Sequence, residues 1–279
     1  MAGLPPPPPP QFGVPGYQRH FWEPGCTAYL KIIQLNNDIN QNGLATAQSR
    51  LERPVTNMWK SICLFYFRQI TNIPNGPVWA VDAESLRGSA NNQAEHIPDI
   101  VVLKLWERVG PPGLPGQLPQ VDSRDYLWVE CKKDAEDSAA GWKNVIHEAT
   151  TRLKAAHVNN NGTRNIYLII AIGTKCMCFV FDPLNQYVGP RLHIASDKGG
   201  VIWQMDPMIK LPWTGARYVS AAPATVGRIL WEKAYKLDTH SLDANGWLKR
   251  GPEMGMIEGF LHVIRTMPNL PGINPAHFN

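Results

Sequence analysis

The spacing of apolar residues divides the chain into stretches of two different periods. From Cys26 to Asn42 a weak three-and-four spacing predicts a helix. A stronger helix follows Ser49: Val55, Met58, Trp59, Ile62, Phe65, Tyr66 and Gln69 recur at three and four, and Pro54 suits a first turn. The period then falls to two. Val78 to Glu84 alternates as a strand, Ile97 to Leu105 is a second strand rich in Val, Ile and Leu, and Asp125 to Cys131 is a third. Between the last two, Pro111-Pro112-Gly113, Pro115-Gly116 and Pro119 mark Arg108 to Arg124 as a loop. Gly141 to His157 returns to helical spacing, with Trp142, Val145, Ile146, Ala149, Leu153 and Ala156 on one face. Asn159 to Thr163 reads as a turn, Ile166 to Ile172 as a fourth strand and Cys176 to Phe181 as a fifth. The fourth strand is apolar on both faces, which suits a mixed sheet covered by helices on both sides. Past Asp197 the spacing is helical again over Val201 to Ile209, Thr225 to Lys236 and Met254 to Thr266, divided by Pro212, Pro223 and Gly251-Pro252. The expectation is an α/β domain with a core at residues 50–197 and a C-terminal helical elaboration over 198–279.

Composition changes this picture mainly at the N-terminus. Eight of the 25 prolines fall in residues 1–25, six of them as Pro5 to Pro10. Such a run favours polyproline II and cannot join a core, so this stretch is expected to be a disordered tail. A role as an SH3- or WW-type ligand stays open. The rest, 26–279, is expected to fold as one domain, since 44% hydrophobic residues rule out wholesale disorder. A net charge of +4 permits an anionic partner and excludes a histone-like coat. No apolar signal segment is visible near Met1, and the longest apolar stretches, Ile62 to Phe67 and Tyr167 to Gly173, are far short of a membrane span. The five scattered cysteines are therefore expected to be reduced thiols in an intracellular protein, nuclear or cytoplasmic, with no membrane partner.

The candidate chemistry lies on the second and third predicted strands. Asp99 falls inside the second; Glu130 and Lys132 stand two apart at the end of the third. Period two puts Glu130 and Lys132 on one face and Val129 and Cys131 on the other. If the strands pair as a hairpin, Asp99 approaches Glu130. Two carboxylates in a partly dry site repel, and a divalent cation between them removes the conflict. Hard oxygen ligands with open water positions suit Mg²⁺, or Mn²⁺, and the Cys131 backbone carbonyl can add a ligand. A lysine beside the cation can orient a water and lower its pKa, which together suit phosphodiester hydrolysis. Chance predicts about one acid-x-Lys triplet in a chain of this composition, and one is present. Its weight lies in its position, after a Pro-Asp strand and before an amphipathic helix. A surface Glu–Lys pair with an Asp at a strand edge is the plainer alternative. Asp82 and Glu84, alternating on the first strand, could extend the acidic site. Cys176-x-Cys178 lacks the second close pair a zinc site needs, and no P-loop or Gly-x-Ser-x-Gly elbow occurs.

Ile97-Pro98-Asp99-Ile100 followed by Val129-Glu130-Cys131-Lys132 resembles the signature of the PD-(D/E)XK nuclease superfamily, the restriction-endonuclease-like fold. The αβββαβ order is similar to that superfamily's core. The stretch from Val55 to Asp197 also resembles the PD-(D/E)XK-like domains common in fungal proteins, through Glu130-Cys131-Lys132, Trp142, Ala171-Ile172-Gly173-Thr174 and Leu192-His193-Ile194. The resemblance covers about half the chain. It implies a metal-dependent nuclease, DNA being favoured over RNA, with Asp99 and Glu130 as metal ligands and Lys132 acting on the water. It also implies a carboxylate from the first core helix. Glu52 is the only acid between Asp38 and Asp82, and a favourable charge at a helix N-terminus is its alternative reading. Members of the superfamily often carry a Gln on the helix after the motif; His147 stands at the comparable position here. Lys143, His147, Thr151 and Lys154 share one face of that helix, which in this fold can border the cleft and meet phosphates. Lys133 is a further candidate phosphate contact. A module of this fold that binds nucleic acid or a protein with little turnover is the alternative function.

Overall fold

A computed structural model describes residues 20–23, 25–40, 51–67, 69, 78–83, 98–108, 120–159, 166–181, 193–195, 202–204, 209–210, 234–237 and 252–266. Two helices come first, α1 (Thr27–Asn40) and α2 (Arg53–Tyr66). Pro54 sits in the first turn of α2, where its missing N–H costs nothing, and the Phe67 N–H donates to the Cys63 carbonyl to close the far end. Gln69 therefore lies beyond the helix rather than on its stripe. Strands β1 (Val78–Ala83), β2 (Ile100–Arg108) and β3 (Gln120–Lys132) form an antiparallel meander. Helix α3 (Ala139–Asn159) then carries the chain to β4 (Ile166–Ile172), which lies parallel to β3. A parallel neighbour needs such a crossover, since no hairpin can reach it. Strand β5 (Lys175–Phe181) returns antiparallel through the turn at Gly173 and Thr174.

The C-terminal region departs from expectation. The described residues of the expected helix from Val201 to Ile209 are strand: β7 (Ile202–Gln204), paired with β6 (His193–Ala195), and the start of β8 (Ile209–Lys210). The described end of the expected helix from Thr225 to Lys236 is β9 (Tyr235–Lys236), and most of that helix lies outside the described residues. Among the described residues of this region, α4 (Pro252–Thr266) is helical, as its spacing predicts. The reason is the open edge of β5, whose unpaired N–H and C=O groups recruit partners. Strand β8 pairs with Val180 and Phe181, and β9 with Lys175 and Cys176. The strands thus run β1-β2-β3-β4-β5-β8, with β9 also on β5, in one mixed α/β sheet.

The loop predicted from Arg108 to Arg124 is also shorter than its prolines suggest. Strand β2 runs to Arg108 and β3 starts at Gln120. Gln120 to Asp125 is too polar to read as a strand; its ladder to residues 103–108 holds it extended. The register jumps between Val102 and Leu103, leaving Tyr126 as the extra residue of a bulge.

Helices cover both faces of the sheet. The Cys131 side chain hydrogen-bonds with Thr56 of α2, while Glu130, facing the other way, meets Arg152 of α3. Strand β4 is accordingly buried along nearly its whole length. Trp142, Val145, Ile146, Ala149, Leu153 and Ala156 form the buried stripe of α3. All five cysteines are buried, and none is in a disulfide. The expected tail boundary at residue 25 lies too far along. Phe21 and Trp22 belong to the same core, because their rings bury more apolar surface than a solvated tail would. His20 Nδ1 stands 2.7 Å from Glu258 of α4, which also accepts the Tyr66 hydroxyl at 2.6 Å. The proline run itself lies outside the described residues.

One turn fixes the end of β3. Lys132 is followed by a 3-10 turn, Asp134–Glu136, and the Gly173 N–H donates to the Lys132 carbonyl at 3.0 Å. Gly173 has φ +57°, and a Cβ there would run into the Asp134 side chain. Gly173→Ala is expected to destabilise the protein by about 1–3 kcal/mol, combining backbone strain with overpacking. A urea titration checks this, and an unchanged midpoint would remove the turn from the account of how Lys132 is held.

Candidate active site

Strand β3 outlasts β2. Their last ladder pair is Ile100 with Val129, so Glu130, Cys131 and Lys132 project past the hairpin while staying paired with Ile170, Ala171 and Ile172 of β4. Asp99 stands one residue before β2, not inside it. Pro98 has no N–H with which to extend the ladder, and the Asp99 side chain takes the place of a backbone acceptor. Its Oδ2 accepts the Cys131 N–H at 2.6 Å. The N–H and C=O of one strand residue leave on the same side, so the Cys131 carbonyl also faces the Asp99 edge. Val101 pairs with Trp128, and counting by two from each puts Asp99 and Glu130 on one face.

Charged groups crowd this end of the sheet. Lys132 Nζ lies 3.0 Å from Glu130 Oε1, 3.5 Å from Glu52 Oε2 and 3.6 Å from Glu148 Oε2. Arg152 Nη1 lies 2.7 and 2.8 Å from the two oxygens of Glu130, and Nη2 lies 2.5 Å from Glu148 Oε1. Glu130 is 2% exposed, Lys132 14%, Arg152 25% and Glu148 39%. Glu52, Asp99, Glu130 and Glu148 face Lys132 and Arg152, so the fully ionised cluster carries two excess negative charges.

These neighbours reshape the titrations. Burial, then the charge of Glu130, pushes Asp99 up to about 7, although the Cys131 N–H and Lys132 pull the other way. Burial also raises Glu130, against Lys132 and Arg152. Burial alone would lower Lys132, but Glu130, Glu52 and Glu148 together hold it above the ordinary lysine range. Lys132 is therefore an ammonium at any working pH. It can donate hydrogen bonds and offset charge, and it cannot take a proton from water.

The expected site residues divide into those brought together and those set apart. Asp99, Glu130 and Lys132 meet at one edge. Glu52 joins them from the N-cap of α2; its side chain makes no capping bond there and instead approaches Lys132. Lys133 turns to Glu136, at 3.7 Å. His147 is exposed, Lys143 is half-buried, and Thr151 donates its hydroxyl to the His147 carbonyl. The side chain of Lys154 lies outside the described residues, as does Glu84. Asp82 pairs in register with Val101, on β1. The helical face that meets the acids is thus Glu148 and Arg152, about 100–140° round from His147. Sequence reasoning missed both. Their signal was an acid and a base four apart, bordering the apolar stripe at Val145 and Ala149 rather than opposite it.

The donor chemistry fits a hard divalent cation: carboxylates of Asp99 and Glu130, the Cys131 carbonyl, and Glu52 nearby. Among the described residues no three His, Cys, Asp or Glu side chains are grouped as metal ligands. Asp99 is drawn to the Cys131 N–H and Glu130 to Arg152. No family model, curated protein or solved structure matches the chain. Among the described residues, no helix is long and apolar enough to cross a membrane.

Proposed function

We propose that the chain is a metal-dependent nuclease with a restriction-endonuclease-like core, acting on phosphodiester bonds, DNA being favoured. The observation that carries this reading is the convergence of Asp99, Glu130, Lys132 and Glu52 on one edge of the sheet, from two strands and a helix start. The order α2, β1, β2, β3, α3, β4 is the αβββαβ succession that such a core requires, and it supports the reading.

In this reading Asp99, Glu130 and the Cys131 carbonyl hold Mg²⁺ or Mn²⁺, with Glu52 beside them. The bound ion supplies Lewis acidity and lowers the pKa of a water. Lys132, fixed as an ammonium, donates to that water or to a phosphate oxygen and offsets charge that builds there. Lys133, Lys143, His147 and Lys154 are proposed backbone contacts, which position nucleic acid without reading its sequence.

The test is incubation of the full chain with single- and double-stranded DNA and RNA, in Mg²⁺ or Mn²⁺ and in EDTA. Thermal melting with and without metal runs alongside. Cleavage with metal only, and a melting temperature raised by metal, are expected. Arg152 bonded to both oxygens of Glu130 favours a second reading, a module of this fold without turnover. The absence of both cleavage and a metal-induced thermal shift would overturn the nuclease and select the module.

A further inference from the structure

Glu130 is committed twice over. Arg152 Nη1 contacts both of its oxygens, at 2.7 and 2.8 Å, and Lys132 Nζ stands 3.0 Å from Oε1. The carboxylate is almost wholly buried, so water offers it little other solvation. A dication taking an oxygen of Glu130 would share that carboxylate with a guanidinium. Repulsion between the two is of the same order as the attraction either feels for the carboxylate. Metal and Arg152 therefore compete for Glu130.

Arg152 has somewhere to go. Its other nitrogen, Nη2, is held by Glu148, one turn earlier on α3. Both Arg152 and Glu148 are far more exposed than Glu130, so this second anchor lies on the solvent side of the first. The planar fork lets one guanidinium span the two carboxylates, and its hold on Glu148 survives the loss of Glu130.

We infer that Arg152 is the internal counter-cation of the metal-free site, which gates metal entry by yielding Glu130 to an incoming divalent cation while keeping Glu148. This rests on the nuclease reading, because it takes Glu130 as a ligand. It assigns α3 a regulatory part: without metal, Arg152 supplies one of the two positive charges set against the four carboxylates, and metal affinity is set below what the carboxylates alone would give.

The experiment is calorimetric titration of Mg²⁺ alone, without nucleic acid, into the full chain and four variants. Arg152→Gln is expected to bind Mg²⁺ about 10-fold more tightly or better, the size of one charged hydrogen bond removed from competition. Lys133→Gln, which deletes a nearby charge that does not touch Glu130, measures the general electrostatic effect and should fall well short of this. Arg152→Lys keeps the charge and loses the fork, so a gain of a few-fold over wild type is expected; it also carries the test should Arg152→Gln fail to fold. Asp99→Asn should abolish binding. If Arg152→Gln binds no more tightly than Lys133→Gln, and Arg152→Lys matches wild type, the gate is wrong while the metal site stands. If neither wild type nor either Arg152 variant binds Mg²⁺, or Asp99→Asn binds as wild type does, the nuclease reading falls and the gate with it.

Discussion

Asp99→Asn is expected to lower metal-dependent cleavage by about 10³-fold or more and, above neutral pH, to make the metal-free protein more stable than wild type. The two effects share a cause. Burial and the charge of Glu130 push Asp99 up to about 7 in the folded protein, from 3.8 as the ordinary value. A carboxyl raised on folding binds its proton more tightly in the native state than in the unfolded chain. Its contribution to stability is therefore best below pH 3.8, declines as pH rises through the window up to about 7, and stays at its lowest above. Asparagine keeps an oxygen to accept the Cys131 N–H and cannot ionise. It should gain on the order of 1–3 kcal/mol over wild type at pH 8 and nothing near pH 4. Chemical denaturation across that range measures this in EDTA, and superimposable profiles would show that Asp99 is not held in the strained, semi-buried state the structure gives it. A metal that neutralises the strain should restore the wild type and leave the variant unmoved.

Much of this site was legible because it depends on rules of period and order. Ile166–Ile172 reads as a buried strand because every position is apolar, and Trp142 to Ala156 as a helix because one face is. Glu130 and Lys132 share a face for no reason beyond the alternation of β3. Glu52 was reachable by elimination, but its weight between a helix-start charge and a site residue needed the fold, since what matters is that α2 begins beside Lys132. Arg152 and Glu148 were not legible. Their approach to Glu130 is a matter of how α3 is rotated on the sheet, and a polar residue at the edge of a stripe looks the same as one facing solvent. The short strands β7, β8 and β9 failed for another reason. Each is two or three residues long; β8 and β9 exist because the edge of β5 needs a partner, and β7 because it meets β6, none of which a local pattern announces. Asp99, expected inside β2, stands outside it because its side chain rather than its backbone meets Cys131.

Lys132→Ala is expected to slow cleavage by about 10²–10⁴-fold while Mg²⁺ affinity is held or improved. Its ammonium lies among three carboxylates, at 3.0, 3.5 and 3.6 Å, so it is too well stabilised to serve as a base. In the proposed hydrolysis what remains for it is donation, to the attacking water or to a phosphate oxygen, and that part is lost with the side chain. The proposed ligands Asp99 and Glu130 stay, with less positive charge beside them, so metal should bind no more weakly. The metal-free protein should lose about 1–2 kcal/mol, a figure kept small because Glu52 and Glu148 are exposed enough for water to screen them. A lysine whose pKa is raised on folding contributes its full stability below the unfolded value and loses it only as pH climbs through the folded one. The deficit of Lys132→Ala should therefore be present throughout the neutral range and close only in strong alkali. A purely structural lysine would show the same stability deficit with an unchanged rate per metal-loaded molecule. A catalytic one shows both, and Lys132→Arg separates them further, restoring charge to the three carboxylates with a fork that cannot place its protons where a single ammonium does. Cleavage by Lys132→Ala at the wild-type rate with unchanged metal affinity would leave Glu130-Cys131-Lys132 as the one such triplet that composition alone supplies.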